Sequence, residues 1–222
     1  MASIRLLAAL VAGLCVLTAA APTFAQSSRG REMSVVDLTA RLKEIQADPK
    51  LNETFLKNGQ RVAVVCANCH GEGGNSLKPD IPNLAGQNPT YLINQMHQFS
   101  SGKRRYEFME GMIKAMSNDE KISSVLFYAA QTVPPKPATN PALVAQGKAY
   151  FSKVCWRCHG ENGRGNEVFP RIAGQQPDFM RTTLKRYRSG TGTRVDPLMA
   201  ANTKLMTDGE IDAVVAYVGS MP

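Results

Sequence analysis

The chain has 222 residues, of which 43% are hydrophobic, and a formal net charge of +8. This length allows one large globular domain or two small ones. Beyond the N-terminal segment, no apolar run approaches the ~20 residues that a membrane-spanning helix needs, which argues against an integral membrane protein.

The N-terminal segment has the features of a secretory signal. Arg5 supplies a positive charge, residues 6–21 form a short apolar run, and residues 23–25 end in the small side chain of Ala25. We predict a signal peptide over residues 1–25, cleaved near Ala25, and a periplasmic location for the mature protein. A retained membrane anchor is the alternative.

The next elements are predicted to be helical. Residues 26–52 form a leader in which residues 35–45 can be a helix, although the pattern does not indicate its purpose. A helix is predicted over residues 53–65, and a second one over residues 141–154. Each of these two helices runs directly into a cysteine-containing motif.

The cysteine motifs are CANCH at 66–70 and CWRCH at 155–159. Cys-x-x-Cys-His is the attachment signature of c-type haem. Its two thiols can form thioethers with the haem, and its histidine can bind the iron as the proximal ligand. The sequence therefore predicts two covalently attached haem c groups. The residues that would hold them are Cys66, Cys69, Cys155 and Cys158 for attachment and His70 and His159 for the iron.

Two other uses of paired cysteines compete with this interpretation. A zinc site of four cysteines also uses Cys-x-x-Cys pairs, but it leaves the histidine after each pair unexplained. A thioredoxin-like redox pair is typical of a βαβ context, and the chain shows little strand pattern. The duplication of the whole Cys-x-x-Cys-His motif favours haem.

The chain contains an internal repeat. PNLAGQ at 82–87 corresponds to PRIAGQ at 170–175, and each is followed at equal spacing by a Ser-Gly pair. Such self-similarity indicates duplicated units. We predict one domain over 53–133 and a second over 142–222, joined by a proline-rich linker over 134–141 that cannot form a continuous helix.

Further helix signals recur at matching places in the two units. Pro89 and Pro177 mark the starts of second helices, which end by Gly102 and Gly190. A third helix in each unit begins with a capping box, Ser117 with Glu120 and Thr207 with Glu210. The predicted fold class is therefore all-α.

The sixth iron ligand is predicted to be methionine. The only histidine outside the motifs, His97, corresponds to Lys185 in the second unit, which indicates a surface position. Methionine is the remaining soft ligand for iron in a c-type site. Met109 and Met199 each precede their capping box by eight residues and are predicted to lie in loops that cross the haem face. Met112 is the alternative to Met109.

A second matched pair of methionines has a structural interpretation. Met116 and Met206 each stand one residue before the capping box. This is the hydrophobic staple position, where a side chain packs on the first turn of the helix.

These motifs together resemble the cytochrome c4 family. The resemblance is carried by CANCHGEGGNS, PNLAGQ and YLINQMHQF in the first unit, and by CWRCHGENG, PRIAGQ and the Met199 segment in the second. It covers roughly residues 55–220 and implies two tandem class I cytochrome c domains whose related halves face one another. It also implies periplasmic electron transfer toward a terminal oxidase. The leader at 26–52 departs from the family pattern.

The resemblance implies redox proteins as partners, either a membrane-bound oxidase or a dehydrogenase, and no small-molecule substrate. Residues 103–105 and 185–188 are basic runs that either steer docking to an acidic partner or a membrane surface, or are solvated helix ends. We do not expect nucleic-acid binding by an exported haem protein.

Two alternatives to a free electron carrier remain open. The chain could be the cytochrome subunit of a dehydrogenase complex, such as one that oxidises sulfide or thiosulfate. It could also be a dihaem enzyme, in which one iron has an open or unusual coordination position. We expect a carrier, because methionine opposite histidine at both irons leaves no position for a substrate.

Overall fold

The computed structural model describes residues 33–136 and 140–222, and within these ranges the chain is helical without a strand. The first half contains α1 (Val35–Ala47), α2 (Pro49–His70), α3 (Pro89–Ser100), α4 (Glu107–Ala115) and α5 (Asn118–Ala129). The second half contains α6 (Pro141–Phe151), α7 (Trp156–His159), α8 (Pro177–Ser189), α9 (Pro197–Thr203) and α10 (Asp208–Ser220). The predicted all-α class is confirmed. The predicted signal peptide, the start of the leader and linker residues 137–139 lie outside the described residues.

The leader helix α1 is part of the first hydrophobic core. Leu38, Leu42 and Ile45 are buried, and they belong to one cluster with residues of α2, α3 and α5. Asp48 then caps α2 by accepting hydrogen bonds from the backbone amides of Lys50 and Leu51. As a result α2 begins at Pro49, and the predicted division between residues 52 and 53 falls inside this helix.

Each half contains the same close helix crossing. In the first half α2 crosses α5 at Gly59, where an added Cβ would lie 2.1 Å from the Ser123 carbonyl oxygen. In the second half α6 crosses α10 at Gly147, where an added Cβ would lie 1.9 Å from the Ala213 carbonyl oxygen. Only glycine allows the backbones to approach this closely. The crossing fixes the helix that leads into each Cys-x-x-Cys-His motif.

We expect Gly147→Ala to destabilise the protein, because the methyl group would have to push α6 away from α10. Overpacking of this kind lowers the free energy of unfolding by about 1–3 kcal/mol. We expect a value near the upper end of this range, because the added methyl group would meet backbone atoms of α10. The measurement is the free energy of unfolding from denaturant titration. Gly209→Ala is the matched control, because its added Cβ meets nothing within 4 Å. Equal stability of the two variants would contradict the close approach of α6 and α10 at Gly147.

The third helix of each half begins as the sequence predicts. The Ser117 side chain accepts a hydrogen bond from the Glu120 backbone amide, and the Thr207 side chain accepts one from the Glu210 backbone amide. In both cases the glutamate side chain accepts a hydrogen bond from the backbone amide of the cap residue. The segments before these caps differ from the prediction, because short helices α4 and α9 replace the expected loops. Asp196 caps α9 through the Met199 amide at 3.0 Å.

The two motif-bearing helices are not identical. In the first half α2 continues without a break to His70, well past the predicted end at residue 65. In the second half α6 ends at Phe151, and the motif forms a separate short helix, α7. Among the described residues, no helix has the length and apolar character needed to cross a membrane.

Candidate cofactor sites and the junction between the halves

The first site lies at the C-terminal end of α2. His70 is the last residue of the helix and is 8% exposed. Its Nδ1 lies 2.8 Å from the Pro82 carbonyl oxygen. A carbonyl oxygen only accepts, so Nδ1 carries the proton and Nε2 is left with a free lone pair. Cys66 and Cys69 precede His70 on the same helix. Both are half-buried, and neither forms a disulfide.

The second site repeats this arrangement on α7. His159 is 7% exposed, and its Nδ1 lies 3.0 Å from the Pro170 carbonyl oxygen. Pro170 and Pro82 hold matching positions in the repeated hexapeptides. The proline of each hexapeptide thus orients the imidazole of its own half, which is the usual way to fix a histidine that binds a metal through its other nitrogen.

The protonation states at both sites suit a covalently attached haem. Burial lowers the pKa of His70 and His159, outweighing the proline carbonyl bonds that raise it, so both imidazoles are neutral ligands at pH 7. Burial raises the pKa of the Cys66 thiol and raises that of Cys155 to about 11.

These states disfavour the two competing uses of the cysteines. A reactive redox pair or a zinc site needs thiolates, and thiols with raised pKa values are poor sources of them. Among the described residues, no group of three or more histidine, cysteine or acidic side chains is arranged to hold a metal ion. The donor set at each site fits haem c instead: two thiols for attachment and one neutral imidazole for iron.

The predicted methionine ligands lie on the short helices before the third helix of each half. Met199 on α9 is partly buried and packs against the hydrophobic core of the second half, which is formed by α6, α8 and α10. Met109 on α4 is partly buried and lies one turn before the buried residue Ile113, on the same face of the helix. Met112 instead lines a surface groove between α2 and α4 together with Val65 and Cys66. Met109 is preferred because it alone matches the spacing of Met199 to its capping box, and ligation by Met109 and Met199 stays a prediction.

Three other side chains bear on the choice of ligand. Met206 is buried in the same cluster as Ile211, as expected for a staple. Met116 is only partly buried and lines the same groove as Met112. His97 is half-buried on α3, deeper than predicted, and its Nδ1 is buried without a hydrogen-bond partner.

The two halves are joined by a reciprocal exchange of hydrogen bonds between the repeated hexapeptides. The Gln175 side chain accepts from the Asn83 amide at 2.7 Å and donates to the Asn83 carbonyl at 3.1 Å. The Gln87 side chain accepts from the Arg171 amide at 2.7 Å and donates to the Arg171 carbonyl at 2.8 Å. Asn83 and Arg171 are equivalent residues of the repeat, so the contact is self-complementary, like that of a twofold dimer.

A second set of bonds extends this junction. The Pro79 carbonyl oxygen accepts hydrogen bonds from the backbone amides of Asp178 and Phe179. These amides belong to the first turn of α8, where backbone donors have no acceptor within the helix. The Asn88 side chain donates to the Phe169 carbonyl at 2.8 Å. The sequence marked the glutamines only as part of a repeat. Their identical position in both hexapeptides was the available signal, but it did not reveal that each one binds the opposite half.

Comparisons with known proteins show similarity to c-type cytochromes. A family model described as "Cytochrome c" matches residues 144–222. Cytochrome c4 of Pseudomonas aeruginosa is 33% identical over 172 residues, which covers 72% of this chain and 85% of that protein. A protein of Stutzerimonas stutzeri named "Thiosulfate dehydrogenase electron acceptor" is 30% identical, and the match covers 72% of this chain and 80% of that protein.

A solved structure supports the same relationship. The crystal structure of reduced recombinant cytochrome c4 from Pseudomonas stutzeri superposes with a TM-score of 0.69 at 28% identity. The match covers 75% of this chain and 98% of that one. The architecture of two related helical halves is therefore shared along nearly the whole length of that protein.

Proposed function

The chain belongs to the cytochrome c4 family, and on that premise we propose that it carries electrons between respiratory proteins outside the cytoplasm, with a terminal oxidase as acceptor. Its two Cys-x-x-Cys-His segments bind two haem c groups covalently. Haem c supplies an iron that takes up and releases one electron. The signal peptide that would direct export lies outside the described residues, so the periplasmic location is part of the proposal.

The observation that carries the proposal is the direct junction between two equivalent sites. Pro82 and Pro170 orient the two proximal imidazoles, and the same hexapeptides dock on each other through Gln87 and Gln175. The same short segment of each half therefore orients the proximal imidazole and docks on the other half. Such an arrangement joins the two redox sites through one direct contact, which serves transfer of electrons through the protein.

The proposed methionine ligands favour a carrier over an enzyme. If Met109 and Met199 bind the two irons together with His70 and His159, neither iron would have a vacant position for a substrate. Methionine also raises the reduction potential relative to more basic ligands. Both effects suit a protein that receives electrons and passes them to an oxidase.

A second candidate has support from one relative. The protein named "Thiosulfate dehydrogenase electron acceptor" indicates that a chain of this kind can receive electrons from a dehydrogenase of sulfur compounds. In that case this chain would work as the electron acceptor or as a subunit of a dehydrogenase.

The positive charge of the two basic runs is partly balanced within the protein. In the second run, Lys185 and Arg188 both pair with Asp208, at 3.0 and 2.6 Å. In the first run, Arg105 pairs with Glu110 at 3.3 Å. Three of the six basic side chains in these runs therefore have a carboxylate partner within the protein, and two of the three share Asp208.

Electron exchange with isolated components tests the proposal. We expect the reduced protein to be oxidised by respiratory membranes in air, and cyanide to block this oxidation. We also expect the oxidised protein to stay oxidised when mixed with thiosulfate alone. Reduction by thiosulfate with turnover would contradict the carrier and establish an enzyme. Reduction only when a sulfur-compound dehydrogenase is added would favour the second candidate.

A further inference from the structure

The third helix of the first half places a tyrosine hydroxyl inside the first core. Tyr128 on α5 is 2% exposed and belongs to the cluster of buried residues against which Cys66 packs. Its hydroxyl oxygen is buried, and it forms no hydrogen bond of normal geometry with the described residues. Buried polar groups are almost always hydrogen-bonded, so a hydroxyl left in this state requires an explanation.

The ring of Tyr128 is held in place by the turn that follows His70. A Cβ added to Gly74 would lie 2.7 Å from Cδ1 of this ring and 3.0 Å from Cε1, so the ring lies directly against the backbone of the turn. The ring also meets Phe127 edge to face, with the two centroids 5.3 Å apart. Packed in this way, the ring keeps its hydroxyl in the core of the half that carries the first haem motif.

The group on which this hydroxyl acts is the sulfur atom of Cys66. Burial raises the pKa of the Cys66 thiol, and hydrogen bonding with the Tyr128 hydroxyl opposes this increase. Burial likewise raises the pKa of Tyr128, and the neighbouring sulfur raises it further. The hydroxyl and the sulfur are therefore neighbours in the core, although they are not aligned as a regular hydrogen bond.

Covalent attachment of haem changes what the Cys66 sulfur can do. The free thiol donates its proton toward the Val62 carbonyl oxygen, at 3.8 Å. When the thiol adds across a haem vinyl group, a carbon–sulfur bond forms and the thiol hydrogen moves to the other vinyl carbon. The resulting thioether sulfur has no proton to donate and is a weak acceptor. The Tyr128 hydroxyl is a buried donor that lacks an acceptor, so attachment makes the two groups complementary.

The second half lacks this hydroxyl. The Gly86 amide donates to the Tyr128 carbonyl oxygen at 2.8 Å, and the equivalent Gly174 amide donates to the Val218 carbonyl oxygen at 2.9 Å. Tyr128 and Val218 therefore hold the same position in the two halves. The Val218 side chain is fully buried and cannot donate a hydrogen bond. The hydroxyl is thus a chemical difference between two otherwise equivalent sites.

We propose that the Tyr128 hydroxyl donates a hydrogen bond to the thioether sulfur of Cys66 and raises the reduction potential of the first haem, attached by Cys66 and Cys69. The sulfur is joined to the haem through one carbon, so a donor on it directs the positive end of the O–H dipole toward the haem. Positive charge there favours the form with one more electron. Hydrogen bonding around a haem is one of the means by which a protein sets its potential. This inference rests on the haem sites of the proposed carrier, not on the identity of its redox partners.

Potentiometric titration of the mature protein with both haems, followed by absorption and by NMR of the haem groups to distinguish them, tests this proposal. Tyr128→Phe keeps the ring and removes only the hydroxyl. We expect the ratio of reduced to oxidised first haem at fixed potential to fall about threefold, which corresponds to about 28 mV for one electron. The second-haem potential should not change. Tyr217→Phe is the matched control, because it removes a tyrosine hydroxyl from the third helix of the other half; it should leave the first-haem potential unchanged.

Resonance Raman spectroscopy of the unmodified protein tests the hydrogen bond itself, and it remains available if Tyr128→Phe fails to mature. Unfolding and refolding in deuterated water replaces the hydroxyl proton while the haems stay covalently attached. One carbon–sulfur stretching band of the thioethers should then shift relative to protein refolded in ordinary water. Absence of this shift would overturn the proposal, and so would an unchanged first-haem potential, or equal shifts of both potentials, in Tyr128→Phe. Oxidation by respiratory membranes is scored separately, so failure of the carrier assignment would not be mistaken for this result.

Discussion

Replacing both Cys155 and Cys158 with alanine is expected to remove one of the two haems and leave the other in place. The reason is that the two halves have separate hydrophobic cores, and each core adjoins its own Cys-x-x-Cys-His motif. Without its thioethers the second half loses its cofactor, while Cys66 and Cys69 still attach the first. The measurement is the mass of the intact mature protein, together with its haem absorbance, which should fall by about half.

Trp156→Phe provides the control for this experiment. Trp156 lies between the two cysteines and is 40% exposed, so the exchange alters the same segment without removing a thiol. It should keep both haems. Loss of both haems from the double cysteine variant would show that the halves do not mature independently and would contradict the account.

Met199→His is expected to lower the reduction potential of the second haem without loss of covalent attachment. Imidazole is a more basic ligand than a thioether, and methionine ligation raises the potential of c-type haem. Axial ligands span about 0.8 V across haem proteins, so we expect a shift on the order of 0.1 V or more. Potentiometric titration measures it. Met206→Leu is the control, because Met206 is buried in the core and not a proposed ligand.

The same substitution distinguishes the two candidates in the first half. Met109→His should lower the first-haem potential, whereas Met112→His should leave it close to that of the unmodified protein, because Met109 has the same spacing to its capping box as Met199. The opposite pattern would assign the ligand to Met112. No shift in either variant, or in Met199→His, would show that methionine does not bind the iron.

Much of the fold was predictable because its signals are local. The Cys-x-x-Cys-His motifs, the prolines that start α3 and α8, and the capping boxes of α5 and α10 each depend on a few neighbouring residues. The duplication then placed equivalent elements in both halves. The helices α4 and α9 were missed because short helices depend on tertiary packing more than on intrinsic propensity.

The features that the sequence did not reveal depend on contacts between distant residues. Gln87 and Gln175 bind the backbone of the opposite half, and this requires the docked geometry of the two repeats. Arg104 is partly buried but stands in a run of three basic residues, so nothing local distinguishes it from its exposed neighbours. The leader packs on the first core through Leu38, Leu42 and Ile45, whose spacing predicts a helix but does not identify its partner.

In the proposed carrier both irons are closed by protein ligands, so the protein passes electrons and admits no reactant. Exposure of the fully reduced protein to carbon monoxide, followed by absorption difference spectroscopy, measures this directly. We predict no carbon monoxide complex at either haem under native conditions, with binding appearing in Met199→Ala, where the second iron loses its proposed ligand. Rapid binding of carbon monoxide to one haem of the unmodified protein would contradict the carrier and indicate a reactive site.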